Sequence, residues 1–96
     1  MKIQNFLHKG LRRLYEDDNC KGVPADALAK LRRMFLFLEN MEKAEELARL
    51  PTWKAHTLTG DRRGEWSLTV TRNWRLTFIV DAEENIIRDV NLEDYH

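Results

Sequence analysis

Five residues carry side chains suited to moving protons around a phosphate: His56, Arg75, Asp94, Tyr95 and His96. The last three are consecutive, in the closing stretch LEDYH. Histidine acts as base or acid because its unperturbed pKa is about 6.5. Arginine grips a phosphate through two parallel hydrogen bonds and stabilises charge that develops on it. RNA cleavage needs these parts. A base takes the proton of the ribose 2′-hydroxyl, an acid protonates the leaving 5′-oxygen, and a cation steadies the phosphate between them. Asp94 would orient or charge a histidine, and Tyr95 would bond the phosphate or stack on a base. Each residue taken singly has a plainer explanation. A strand histidine is usually a surface group, an outward arginine is usually solvated, and DYH is compatible with an ordinary acidic tail.

Other chemistries lack their signatures. Three scattered histidines and a single cysteine, Cys20, do not make a zinc-binding pattern. There is no glycine-rich phosphate loop and no Gly-x-Ser-x-Gly elbow. No cofactor and no metal are expected. The residues alone imply an α+β domain that binds or cleaves RNA without a metal.

The elements that must position these groups follow from hydrophobic period. Phe6, Leu7, Leu11, Leu14 and Tyr15 recur at helical spacing. Gly22 and Pro24 break that pattern. Leu28, Leu31, Phe35, Leu38 and Met41 then form the stripe of a longer helix. KAEELARL makes a short turn ending at Pro51. Beyond it the period changes to two. WKAHTL has room for a short strand carrying His56, and GDRRG is a loop with a glycine at each end. In EWSLTVT, Trp66, Leu68 and Val70 alternate with Glu65, Ser67, Thr69 and Thr71. In NWRLTFIV, Trp74, Leu76, Phe78 and Val80 point inward while Arg75 and Thr77 point outward. Asn73 supplies the positive φ of a tight hairpin between them. DAEEN is the next turn, and IIRDVNL is a final strand with Ile86, Val90 and Leu92 on one side. The expectation is two N-terminal helices packed on one face of a small antiparallel sheet, an α+β fold whose other face stays partly open. The terminal DYH, a few residues past Leu92, reaches that open face.

The chain has 96 residues, which fits one domain over 1–96 with a thin core. One cysteine, no signal-peptide pattern and no long apolar run point to a cytoplasmic protein with no membrane partner. Formal net charge is zero, but it is unevenly spread. Residues 52–78 hold five bases (Lys54, Arg62, Arg63, Arg72 and Arg75) against two acids, a net of +3. From Ile79 onward six acids face one arginine, a net of −5. A basic face with an acidic tail is compatible with a nucleic-acid partner, although a mixed solvated surface explains the charge as simply.

The ordered pieces FLHKGLRRLYE, GVPADALAKLRRMFLFLENM, KAHTLTGDRRGEWSLTVTRNWRLTF and terminal EDYH cover nearly the whole chain. Together they resemble the HigB toxins of the RelE/ParE superfamily of toxin–antitoxin modules. The resemblance implies a RelE/ParE-like fold and a ribosome-dependent, metal-independent endoribonuclease that cuts mRNA in the A site and so inhibits translation. It implies as partners the 70S ribosome with its mRNA and a HigA-like helix-turn-helix antitoxin, operator DNA being reached only through the antitoxin. Matched by position, the family's site falls on His56, Arg75, Asp94, Tyr95 and His96, with Lys54, Arg62, Arg63 and Arg72 docking on RNA and ribosome. In the family the stretch after the histidine reads His-Pro-Leu-Lys-Gly with a functional lysine, whereas Thr59 stands at that position here. The competing expectations are a ParE-like inhibitor of DNA gyrase, which would not need the histidines, and a non-catalytic regulatory module whose tail docks a partner.

Overall fold

The computed structural model describes residues 1–95. His96 lies outside the described residues. Seven elements organise the chain: strand β1 (Lys2–Ile3), helices α1 (Lys9–Asp17) and α2 (Leu28–Asn40), and strands β2 (His56–Thr57), β3 (Glu65–Thr69), β4 (Trp74–Asp81) and β5 (Ile86–Asp94). Short 3-10 turns fill the stretches between α2 and β3. The sheet order is β1-β5-β4-β3-β2. The expected antiparallel meander is present from β2 to β5. The helices and one face of the sheet share a single apolar cluster, which joins Leu11, Leu14, Leu31, Met34 and Leu38 to Leu68, Leu76, Phe78 and Val90. No helix among the described residues is long and apolar enough to cross a membrane.

Four expectations are corrected. Phe6 and Leu7 are not helical. His8 caps α1 instead, its Nδ1 accepting the Leu11 N–H at 3.1 Å. Burial keeps the His8 pKa below its usual value, which favours the neutral ring that this acceptor role requires. Phe6 still packs against Tyr15 and Phe35, while Leu7 is 61% exposed. Second, β1 adds a parallel edge beside β5, pairing Ile3 with Ile87. Two residues are too few to show a period, so the sequence hid it. Third, Asn73 is not among the residues with positive φ; Asn85, in the β4–β5 turn, takes that conformation at φ 58°. The β3–β4 connection is longer than a two-residue turn and closes through Val70 N–H to Trp74 O at 3.0 Å.

The fourth correction shapes the site. Ile86 does not share a side with Val90 and Leu92; Ile87 does, and is fully buried. The register of β4 on β5 shifts between Thr77 and Ile79, so β5 carries one extra residue there. Asp89 adopts φ 55° at this point. Its N–H donates to Asn5 Oδ1 at 3.0 Å, and its Oδ1 accepts from Asn5 Nδ2 at 2.9 Å. Aspartate tolerates the left-handed region better than a branched residue would. Had the Ile79–Arg88 register continued, Leu92 would face Arg75. The bulge puts Leu92 opposite Leu76 and Glu93 opposite Arg75.

Candidate active site on the open face of the sheet

The face of the sheet away from the helices is built from the alternate residues of the same strands. Ser67 and Thr69 from β3, Arg75 and Thr77 from β4, and Glu93 from β5 line a concave pocket of about 250 Å³. Cross-strand pairing sets them in rows: His56, Ser67 and Thr77 in one, Thr69, Arg75 and Glu93 in the next. Lys54, His56, Leu58, Arg62, Asp94 and Tyr95 complete the wall.

His56 sits on a two-residue strand whose approach is a sharp turn, with Lys54 at φ 50°. That turn brings the Lys54 carbonyl 2.9 Å from His56 Nδ1. A carbonyl only accepts, so Nδ1 carries the proton in this bond. In the neutral ring Nε2 is then the basic nitrogen. Arg75 is fixed by its Nη1, which donates to the carbonyls of Thr71 at 2.8 Å, Trp74 at 3.1 Å and Arg72 at 3.3 Å. Its guanidinium carbon lies 4.1 Å from the centre of the Tyr95 ring, a cation–π contact. Tyr95 is anchored by its N–H to Asn73 O at 2.6 Å, yet its side chain is largely exposed. The last described residues therefore carry the β4–β5 pairing one step further, to the end of the β3–β4 connection.

Glu93, which the sequence marks only as one acid of an acidic tail, is central to the electrostatics. It accepts from Thr77 Oγ1 at 2.5 Å and from Arg62 Nη1 at 2.8 Å, with a second, shorter bond from Arg62 Nη2. Arg62 also donates through Nε to Glu65 at 2.9 Å and through Nη2 at 3.1 Å. The bonds from Arg62 hold the Glu93 carboxyl below its usual value; Thr77 adds to this, and partial burial opposes it. The Arg62 guanidinium is correspondingly pushed up by Glu93 first and Glu65 second. The acidic tail and the basic face are thus one surface: Glu93 and Asp94 stand in the same pocket wall as Lys54, Arg62 and Arg75. A signal for Glu93 existed. It has the parity of Asn91, opposite to Leu92, and so points away from the core.

The pocket brings together His56, Arg75, Asp94 and Tyr95, with Lys54 and Arg62 beside them. Arg63 and Arg72 do not line it. Among the described residues, no three His, Cys, Asp or Glu side chains gather as a metal site requires.

Comparison with known proteins decides the class. The family model described as "RelE-like toxin of type II toxin-antitoxin system HigB" matches residues 4–96. The chain belongs to the HigB-like toxin family. It is 39% identical over 95 residues to Endoribonuclease HigB of Proteus vulgaris, covering 98% of this chain and 99% of that one. This HigB-like chain is accordingly a toxin of a type II toxin–antitoxin system and an endoribonuclease. Its fold is that of the related toxins. E. coli YafQ superposes with a TM-score of 0.62 at 15% identity, over 97% of this chain and 89% of that one. A YoeB/ParE toxin from Agrobacterium tumefaciens superposes with a TM-score of 0.58 at 19% identity, over 100% of this chain and 99% of that one.

Proposed function

We propose that the chain, acting as one toxin domain, cleaves mRNA in the ribosomal A site on the open face of its sheet. The observation that supports this most is the convergence of His56, Arg75, Asp94 and Tyr95 on one pocket. His56, with Nδ1 engaged by the Lys54 carbonyl, offers Nε2 as the base for the 2′-hydroxyl. Arg75, whose Nη1 is engaged in the turn, keeps Nε and Nη2 for the scissile phosphate. Tyr95 flanks that phosphate and stacks on a neighbouring base, and Asp94 orients a histidine. His96, one residue past Tyr95, supplies the acid for the 5′-oxygen. Lys54, Arg62, Arg63 and Arg72 draw RNA and ribosome by charge, an attraction that weakens with salt. The ribosome supplies much of the rate by holding the codon in place. Thr59 offers no charge, so Lys54 in the pocket wall takes the part of the missing lysine. The antitoxin partner is a HigA-like helix-turn-helix protein, and the module works in the cytoplasm.

The test is a defined messenger on purified ribosomes, incubated with wild type and with His96→Ala, the new 5′ ends being mapped by primer extension. Cuts within A-site codons are expected with wild type only, and only with ribosomes present. Equal cutting by both proteins removes His96 from the mechanism. An intact messenger together with inhibited gyrase supercoiling replaces the reading with a ParE-like one.

A further inference from the structure

Arg62 is held in an unusual place for a residue meant to meet RNA. Its side chain starts from the loop between β2 and β3, flanked by Gly60 at φ 69° and Gly64 at φ 91°. It reaches β5 by crossing the face of β4, where Thr77 shares the same Glu93 carboxylate. Its two acidic partners differ in kind. Glu65 is a near neighbour, three residues away on the first residue of β3, where the strand pairs it with Ile79 of β4. Glu93 is 31 residues away and is fixed by Thr77 and by the β4–β5 pairing. The pair is open to solvent, since the Arg62 side chain is 45% exposed and Glu93 28%. The forked geometry and the shared bonds to Glu65 and Thr77 make it firmer than a lone surface pair, but its access to water leaves it exchangeable. A phosphate offers the same forked acceptor geometry as a carboxylate.

We propose that Arg62 is a phosphate clamp parked on Glu93: an RNA phosphate arriving on the open face takes the guanidinium from Glu93, while Glu65 keeps it oriented on its loop. This rests on the reading of the open face as the RNA site and adds its regulation. Parking serves two ends. It neutralises Glu93 in the free protein, and it makes an anion compete for the arginine, so that weak, unpositioned anions are turned away. Glu93 is then a positioning residue, not a catalytic one. Both glycines face open space, with nothing within 4 Å of where a Cβ would lie, so the loop lies at the surface where a phosphate can reach it.

The experiment uses the full chain and a short single-stranded 2′-O-methyl oligoribonucleotide, which binds but lacks the attacking hydroxyl. Fluorescence anisotropy at low salt gives affinities for wild type, Glu93→Gln, Arg62→Ala and Arg75→Ala. Glutamine keeps the Thr77 bond but holds a cation poorly. It is expected to tighten binding by about two- to fivefold, the worth of an exposed ion pair. Arg62→Ala is expected to weaken it. In the NMR spectrum of the wild type, contacts between Arg62 and the Glu93 and Thr77 side chains are expected in the free protein. They should vanish at oligonucleotide saturation, while the Arg62–Glu65 contact persists. Weaker or unchanged binding by Glu93→Gln, or cross-sheet contacts that survive saturation, make Arg62 a fixed brace and overturn the clamp. Binding that Arg75→Ala leaves intact locates the RNA elsewhere, and the failure is then of the site reading.

Discussion

Strand β4 presents two different proteins on its two sides. Leu76 and Phe78 lie at zero exposure in the apolar cluster, whereas Arg75 and Thr77, their immediate neighbours, line the pocket. The first side is held by area removed from water, which is non-directional and tolerant of small shifts. The second is held by directional bonds: Arg75 to three carbonyls, Thr77 to Glu93, Glu93 to Arg62. Substitutions on the apolar side should therefore weigh most on stability, and those on the pocket side most on function. The bulge at Asp89 keeps the two sets on their proper sides.

The largest effect belongs to the buried side. Phe78→Ala should cost about 3–5 kcal/mol of folding free energy, read from denaturant midpoints. A loss below about 1 kcal/mol would mean the core repacks freely. Next comes Arg75→Ala, expected to slow ribosome-dependent cleavage by about 10²–10³-fold, as for the loss of a donor to a developing oxyanion. Asp89→Val sits between the two sides. A β-branched residue in the left-handed region costs about 1–3 kcal/mol. It should also lower cleavage, because relief of the strain by dropping the bulge would bring Leu92 opposite Arg75. Asp89→Gly, free of that strain, should retain more of both. Thr77→Val keeps shape but removes the bond to Glu93, and should cost about 1 kcal/mol in the same denaturation assay.

The smallest effect is one of pH. The Glu93 carboxyl titrates below its usual value in the folded protein. Its contribution to stability is therefore fully present above the unfolded value of 4.5 and is lost as pH falls through the folded one. Stability measured from pH 6 downward should fall less steeply in Glu93→Gln than in wild type below about 4.5. Identical slopes would mean that Arg62 does not hold this carboxylate in solution.

The sequence made the alternating strands and the stripe of α2 legible because period is a property of many residues. The stripe missed Met34, buried alongside Leu31 and Phe35. It extended to Met41, which is buried although it has already left the helix. Period failed where one residue decides. β1 is two residues long, the start of α1 turns on the His8 cap, and the β5 bulge is a single left-handed Asp89. The spacing from Ile87 to Val90, three where an unbroken strand gives two, was the visible trace of that bulge. Chemistry and resemblance singled out His56, Arg75, Asp94, Tyr95 and His96; the first four line the pocket, and His96 lies outside the described residues. Glu93 was missed because counting charge along the chain does not say which carboxylate faces an arginine.

The role proposed for the open face is to cleave RNA without holding the fold together. The direct measurement is made on one preparation of Arg75→Ala: its cleavage rate on programmed ribosomes and its denaturation midpoint beside wild type. Cleavage reduced by about 10²-fold or more with less than about 1.5 kcal/mol of stability lost is the expected result. Cleavage at the wild-type rate would contradict it.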